Sequence, residues 1–307
     1  MKLNVNLMFF NNWKTGFFSL CSLAVLFISS CDIINPEEEI PAYIRIESVD
    51  LKTYPGEGSD DHAITDIWLS VDSEFLGVYP LPATIPLLEK GEHLISLQAG
   101  IKDNGINSTP DIYPFYAPFE VTVNLEEDVV KDLSPVFEYY ENVQFSFIEE
   151  FEGTGQIFQE IRIGDPEYEI GLSTQAENIF EGDHSGVVRL DTGNNVIEIG
   201  TLSRYQDLGD NGYQTYLEVN YKSDVPVFFG LIGYENIGSL GGTSLYEGGF
   251  LQSTSWNKIY FNLAKPVLTA GYEEYQVGFQ AYIPEQDGIL TLDSAKVFLD
   301  NIKLVHF

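Results

Sequence analysis

Tyr43-Ile44-Arg45-Ile46-Glu47-Ser48-Val49 is the stretch that decides the fold. Ile44 and Ile46 alternate with Arg45 and Glu47, and a period of two puts the two sets on opposite faces of a strand. The same alternation recurs at Ile67–Asp72, Phe75–Tyr79, His93–Ala99 and Tyr116–Leu125. Pro80-Leu81-Pro82 cannot lie inside a sheet, and Gly100 reads as the close of the His93 strand. No segment carries a helical period of convincing length. Short strands at this spacing predict an all-β sandwich over residues 42–135.

Working outward, Pro135 opens a short aromatic and acidic stretch, VFEYYENV, that marks a boundary near 135–146. The β pattern resumes at Phe145 and runs to the C-terminus. Its strands are expected at Gly186–Asp191, Tyr213–Tyr221, Val227–Tyr234, Trp256–Leu263, Tyr275–Ile283 and Ala295–Leu304, with glycines and Asp/Asn pairs supplying turns. The fold class is therefore all-β, with a second sandwich over 143–307.

The chain has 47 acidic and 15 basic residues, a formal net charge of −32. A field of that sign repels phosphate backbones and anionic head groups, so nucleic acid is not an expected partner. Hydrophobic residues make up 44% of the chain, enough for packed cores, so the charge is read as a solvated surface. Carboxylate-rich surfaces also suit calcium.

At the N-terminus, Lys2 and Lys14 are the charged residues of the first thirty, and Phe17–Ile28 is almost wholly apolar. That is the layout of an export signal, and the run is shorter than the roughly 20 residues of a membrane-spanning helix. Ile28-Ser29-Ser30-Cys31 then resembles the lipobox of bacterial lipoproteins; the plain alternative is an ordinary signal peptide with a chance cysteine. The resemblance implies removal of residues 1–30 and lipid on Cys31, an anchor in which each buried CH2 contributes about 0.8 kcal/mol. Roughly 275 residues would remain, enough for two domains. Cys21 would be discarded, leaving Cys31 as the mature chain's cysteine, without a disulfide or Cys-rich metal site.

Residues 31–41 read as the lipidated cysteine and an acidic tether, with Pro36, Pro41 and Glu37-Glu38-Glu39 disfavouring packed structure. An acidic run so close to the cysteine resembles the surface-export signal of some Gram-negative outer-membrane lipoproteins, or is a plain solvated linker. Asp32 alone suggests inner-membrane retention by rules that hold in other bacteria. The expected location is the cell envelope, as an outer-membrane lipoprotein facing the periplasm or the outside.

Two further resemblances concern the sandwiches. Asp66 to Gly105, with Val71-Asp72 followed by Gly77 and with Gly91, His93 and Ile95 in a G-x-H-x-I strand, looks like a PEGA-type or Ig-like β-sandwich. Such modules are structural or adhesive; here Pro80-Leu81-Pro82-Ala83-Thr84 stands where the family often has Pro-Glu-Gly-Ala. Residues 143–307 resemble the jelly roll of carbohydrate-binding modules and galactose-binding-like domains. The motifs are Phe151-Glu152-Gly153, the G-x-x-S-G of Gly182 to Gly186, Trp256 to Leu263, and Leu299-Asp300-Asn301-Ile302. This resemblance implies a structural calcium on Glu152 and Asp300; the alternative is that Asp300-Asn301 makes a turn or caps backbone amides.

No catalytic residue emerges from motif spacing. His62, His93, His184 and His306 lack H-x-x-x-H and H-E-x-x-H spacing. Gly238 to Thr243 has no helix after it and reads as a loop, not a phosphate cradle. Carboxylate pairs such as Glu149/Glu150/Glu152, Asp60/Asp61, Glu126/Glu127/Asp128 and Glu273/Glu274 arise by chance in so acidic a chain, although glycosidases use two carboxylates. Sugar binding needs aromatic faces for the C–H faces of pyranose rings. The loop-proximal candidates are Tyr205, Tyr213, Tyr234, Tyr246 and Tyr272, with Arg204, Gln206, Asp207 and Asn211 near by; Trp256 reads as a packing residue. Two function classes stand: a non-catalytic, membrane-anchored binding lipoprotein, with a glycan or an envelope protein as partner, and a structural or assembly subunit without a small ligand. An enzyme is third.

Overall fold

The structure is a computed structural model describing residues 38–165, 170–206, 208 and 214–307. The signal segment, Cys31 and most of the tether lie outside the described residues, as do Asp207, Asn211 and Tyr213. The protein is all-β, and the described residues build two sandwiches.

In the first sandwich one sheet runs Glu74–Pro80, Asp66–Val71, Gly91–Lys102, and the last of these also pairs with Pro110–Ile112 and Phe119–Leu125. The facing layer is Ala83–Leu87, Ala42–Ile46 and Val130–Leu133, continued by the parallel pair Asp50–Lys52 and Val136–Glu138. The alternation that opened the sequence reading sets the layers. Ile44 and Ile46 are fully buried against Ile67, Leu69, Ile95 and Leu97. Arg45 faces water and ties its strand to Val130–Leu133 through two hydrogen bonds to Asp132, at 2.6 and 3.0 Å.

Gly100 does not end its strand, which continues to Lys102. A Cβ there would sit 2.9 Å from the Asp66 backbone oxygen, so this glycine marks a close approach of neighbouring strands. Pro80 closes the edge strand Glu74–Pro80, where a missing N–H does no harm to the ladder.

The second sandwich pairs Gly171–Ser173, Ser185–Asp191, Ser294–His306, Thr215–Ser223 and Ser253–Asn262 in one sheet, with Gln144–Glu149 also on Ser294–His306. Its second sheet runs Phe158–Ile163, Val196–Thr201, Glu274–Tyr282, Val227–Tyr234, Thr243–Phe250. Between them Phe229 lies 5.1 Å from Phe279 and 5.8 Å from Phe261, ring centre to ring centre. Among the described residues one α-helix occurs, Ala264–Ala270, capped by Gly271 in the left-handed region at φ +64. It is too short to show a helical period in the sequence.

The first sandwich packs on the outer face of the first of these two sheets. Tyr216, Tyr260 and Val305 of the second sandwich join the core of the first. Tyr113 meets Tyr216 edge-on at 5.3 Å and Tyr260 at 4.8 Å. Beneath the rings, fully buried Glu218 accepts hydrogen bonds from Tyr113 and Tyr139, both at 2.7 Å, and pairs with Lys258 at 2.9 Å. Lys303 donates to the Ser59 carbonyl at 2.7 Å. Burial pushes the Glu218 carboxyl up, but Lys258 and Lys303 outweigh it and bring it to about 2. Burial brings Lys303 down to about 8. One sheet of the second sandwich is thus covered, and the other presents an open outer face.

Candidate functional site

The open sheet alternates like the strands that build it. Val227, Phe229, Leu231, Val277, Phe279 and Ala281 point into the core. Their neighbours form the outer face, in three zones.

The middle zone is a row of glycines. Gly200, Gly278 and Gly230 are direct cross-strand partners. A Cβ on Gly278 would lie 2.6 Å from Ile232 Cδ1 and 2.9 Å from the Tyr246 hydroxyl; one on Gly230 would lie 3.2 Å from the Tyr246 ring. Tyr246 therefore lies across the row, and its hydroxyl donates to Glu198 at 2.7 Å. Burial, then the Glu198 carboxylate, push that hydroxyl's pKa up.

The second zone is polar, and most of its groups are bonded within the chain. Tyr234, 1% exposed, donates to Gln276 and accepts from Arg162 at 3.1 Å. The Arg204 guanidinium sits 3.6 Å from the centre of the Tyr234 ring and pairs with Glu274 at 3.1 Å. Gln206 and the Gly238 N–H also donate to Glu274.

The third zone is open. Phe228, 42% exposed, and half-buried Tyr282 lie nearly parallel, at 14° and 5.7 Å between ring centres. Gln280 pairs across the strands with Phe228 on one side and Glu198 on the other. Its side-chain amide has no hydrogen bond among the described residues.

The structure places the candidate tyrosines as follows. Tyr234 and Tyr246 lie on the face, but their rings and hydroxyls are engaged by the chain itself. Tyr205 bridges to Tyr275 and lies 5.8 Å from Phe147; burial pushes its hydroxyl up to about 12. Tyr272 fills the space over Gly233, where a Cβ would meet its ring at 2.2 Å. Tyr234 is thus buried, and Tyr205, Tyr246 and Tyr272 are half-buried, each with one side held by the chain. Phe228, Tyr282 and Gln280 are not among the sequence candidates, although all three stand in expected strands. Trp256 is half-buried against Phe180 at 5.4 Å, a packing position.

Glu152 and Asp300 approach the same turn, residues 181–185, and both are engaged there by protein donors. Glu152 accepts the N–H groups of Asp183 and His184, each at 2.7 Å. Asp300 accepts from Ser185 at 2.5 Å and from the Asn301 N–H at 2.9 Å, and burial pushes its carboxyl up to about 7. Among the described residues no cluster of three or more His, Cys, Asp or Glu is placed to hold a metal ion. Buried Glu149 caps the N–H groups of Phe151 and Ile157 at 2.9 and 2.6 Å. Each histidine has its own neighbour: His93 meets Asp72 at 2.7 Å, His184 meets Glu152 at 3.3 Å, His306 meets Ser146 at 2.8 Å and His62 accepts the Ile64 N–H at 3.3 Å.

No protein-family model matches the chain, and no curated protein matches it. Solved structures do. The CBM22-1 xylan-binding domain from Paenibacillus barcinonensis Xyn10C is similar at 11% identity, over 52% of this chain and 93% of that one, with a TM-score of 0.33. The family 11 carbohydrate-binding module of a Clostridium thermocellum cellulosomal cellulase is similar at 14% identity, over 53% and 95%, with a TM-score of 0.35. The enzymatically active domain of bacteriophage CBA120 tailspike protein 4 is similar at 10% identity, over 53% of this chain and 19% of that one, with a TM-score of 0.32. Likenesses this distant carry no ligand or reaction to this chain.

Proposed function

We propose that the protein is a non-catalytic, lipid-anchored binding protein of the cell envelope whose second sandwich holds glycan on its open sheet. One observation carries the reading: an exposed, nearly parallel aromatic pair, Phe228 and Tyr282, beside an amide with unspent donors and acceptor, Gln280. Aromatic faces take the apolar C–H faces of sugar rings, and a neighbouring amide orients hydroxyls. The first sandwich and the tether then serve as spacer, and the lipobox at Ile28–Cys31 supports the anchor.

The test uses the mature chain with Cys31→Ser, probed on arrays of neutral polysaccharides with calcium and with chelator. Phe228→Ala is expected to weaken any glycan bound by at least about tenfold, or 1.4 kcal/mol, while leaving the melting temperature unchanged because the ring is exposed. Failure to retain any glycan under either condition sinks the reading. Metabolic labelling with a palmitate analogue tests the anchor: label on the wild type and none on Cys31→Ser is expected, and an unlabelled wild type overturns it.

The second reading, a structural envelope subunit without a small ligand, is favoured by the polar zone around Tyr234. Most of its hydrogen-bonding groups are taken up within the chain, as in a scaffold.

A further inference from the structure

A cleft of about 660 Å³ opens where the two sandwiches meet, within the 300–1,000 Å³ range of small-molecule sites. Its floor is aromatic, formed by Tyr113 and Tyr216, which meet edge-on. Its rim holds Tyr140, 39% exposed, and four primary amides line it; Asn262 already donates to the Tyr216 hydroxyl at 2.8 Å, and the other three come from separate parts of the chain. Gln98 comes from the strand Gly91–Lys102 of the first sandwich. Asn142 comes from the connection, and Gln214 precedes Thr215–Ser223 of the second.

The three amides have no side-chain hydrogen bond among the described residues, in contrast to the amides of Gln206 and Gln276 on the open sheet. Each amide offers two donors and an acceptor. That is the complement of a hydroxyl, which both donates and accepts. Among the described residues lining the cleft there is no lysine or arginine, and Asp111, whose Oδ1 accepts the Ile112 N–H at 2.8 Å, adds negative charge. An anionic ligand is disfavoured and a neutral, hydroxyl-rich one is suited.

We propose that this junction cleft is a second binding site, for a neutral sugar. It goes beyond the open-sheet reading and does not rest on it. Because the rim is drawn from both sandwiches, the buried junction around Glu218 brings the segments that carry the amides together before a ligand arrives, which limits the ordering cost of binding to the side chains. Two sites on one chain also allow a single long glycan to be gripped twice, raising its effective affinity.

The experiment is titration of the mature Cys31→Ser chain with cellohexaose, xylohexaose and mannohexaose, read by calorimetry and by the side-chain NH2 resonances of Gln98, Asn142 and Gln214. At least one probe is expected to shift those resonances. Gln98→Ala/Asn142→Ala/Gln214→Ala should lose at least tenfold of that affinity and keep the wild-type melting temperature. Phe228→Ala/Tyr282→Ala should leave the cleft resonances responding as before, so failure of the sheet site and of the cleft are read separately. The proposal is overturned if no probe moves the three amide signals, or if the triple variant binds every probe as the wild type does.

Discussion

Glu218→Ala is expected to destabilise the protein by about 3–5 kcal/mol, the cost of breaking a buried charge set by removing one partner. The substitution leaves Lys258 and Lys303 buried without their counter-charge and strips Tyr113 and Tyr139 of their acceptor. Glu218→Gln keeps an acceptor but no charge and should fall between alanine and wild type. The pH profile follows from the carboxyl's depressed value. In the folded protein it titrates near 2, against 4.5 ordinarily. Its stabilising contribution is therefore complete above about pH 4.5, shrinks as pH falls because the unfolded chain takes up the proton first, and is gone near pH 2. Chemical denaturation of wild type and Glu218→Gln between pH 7 and 2.5 checks this. Curves that stay parallel across that range would contradict it, as would an alanine variant as stable as the wild type.

Phe229→Ala is expected to cost about 3–5 kcal/mol as well, by a different route. Phe229 is 1% exposed and packs on Phe158, Phe250, Phe261 and Phe279, so truncation leaves a cavity that the two sheets cannot close. Glycan retention by whatever fraction stays folded should be near that of the wild type. Its neighbour Phe228 is the mirror case, with stability intact and binding lost. The pair tests the strand register directly, since a one-residue slip would exchange the two phenotypes. Equal destabilisation by both substitutions, measured by denaturation midpoint, would contradict the assigned faces.

This pair also shows where the sequence stops being legible. In Tyr43–Val49 polar and apolar residues alternate, and the buried face can be read at once. In Val227–Tyr234, VFFGLIGY, both faces are apolar or glycine, so the pattern identifies a strand without saying which side meets water. The strands Val196–Thr201 and Thr243–Phe250 were not anticipated. Gly200, Gly241, Gly242, Gly248 and Gly249 read locally as turn residues, and in the sheet Gly200 belongs to the row over which Ile232 and Tyr246 lie. Proximity to a loop suggests an exposed tyrosine, but exposure depends on what folds over a residue. Arg162 and Arg204, distant in sequence, close over Tyr234.

The sequence by itself determined what is local and additive. A two-residue period makes strands, and the charge balance disfavours polyanions as partners. These properties depend on each residue and its near neighbours. The tertiary structure alone decided which sheet is covered and which is open, and it alone assembled the junction cleft from positions 98, 142 and 214. A strand's pattern specifies that it has two faces, but the layer that comes to rest on one of them is chosen by non-local packing. Here Tyr113, Tyr139, Glu218, Lys258 and Lys303 meet across most of the length of the chain.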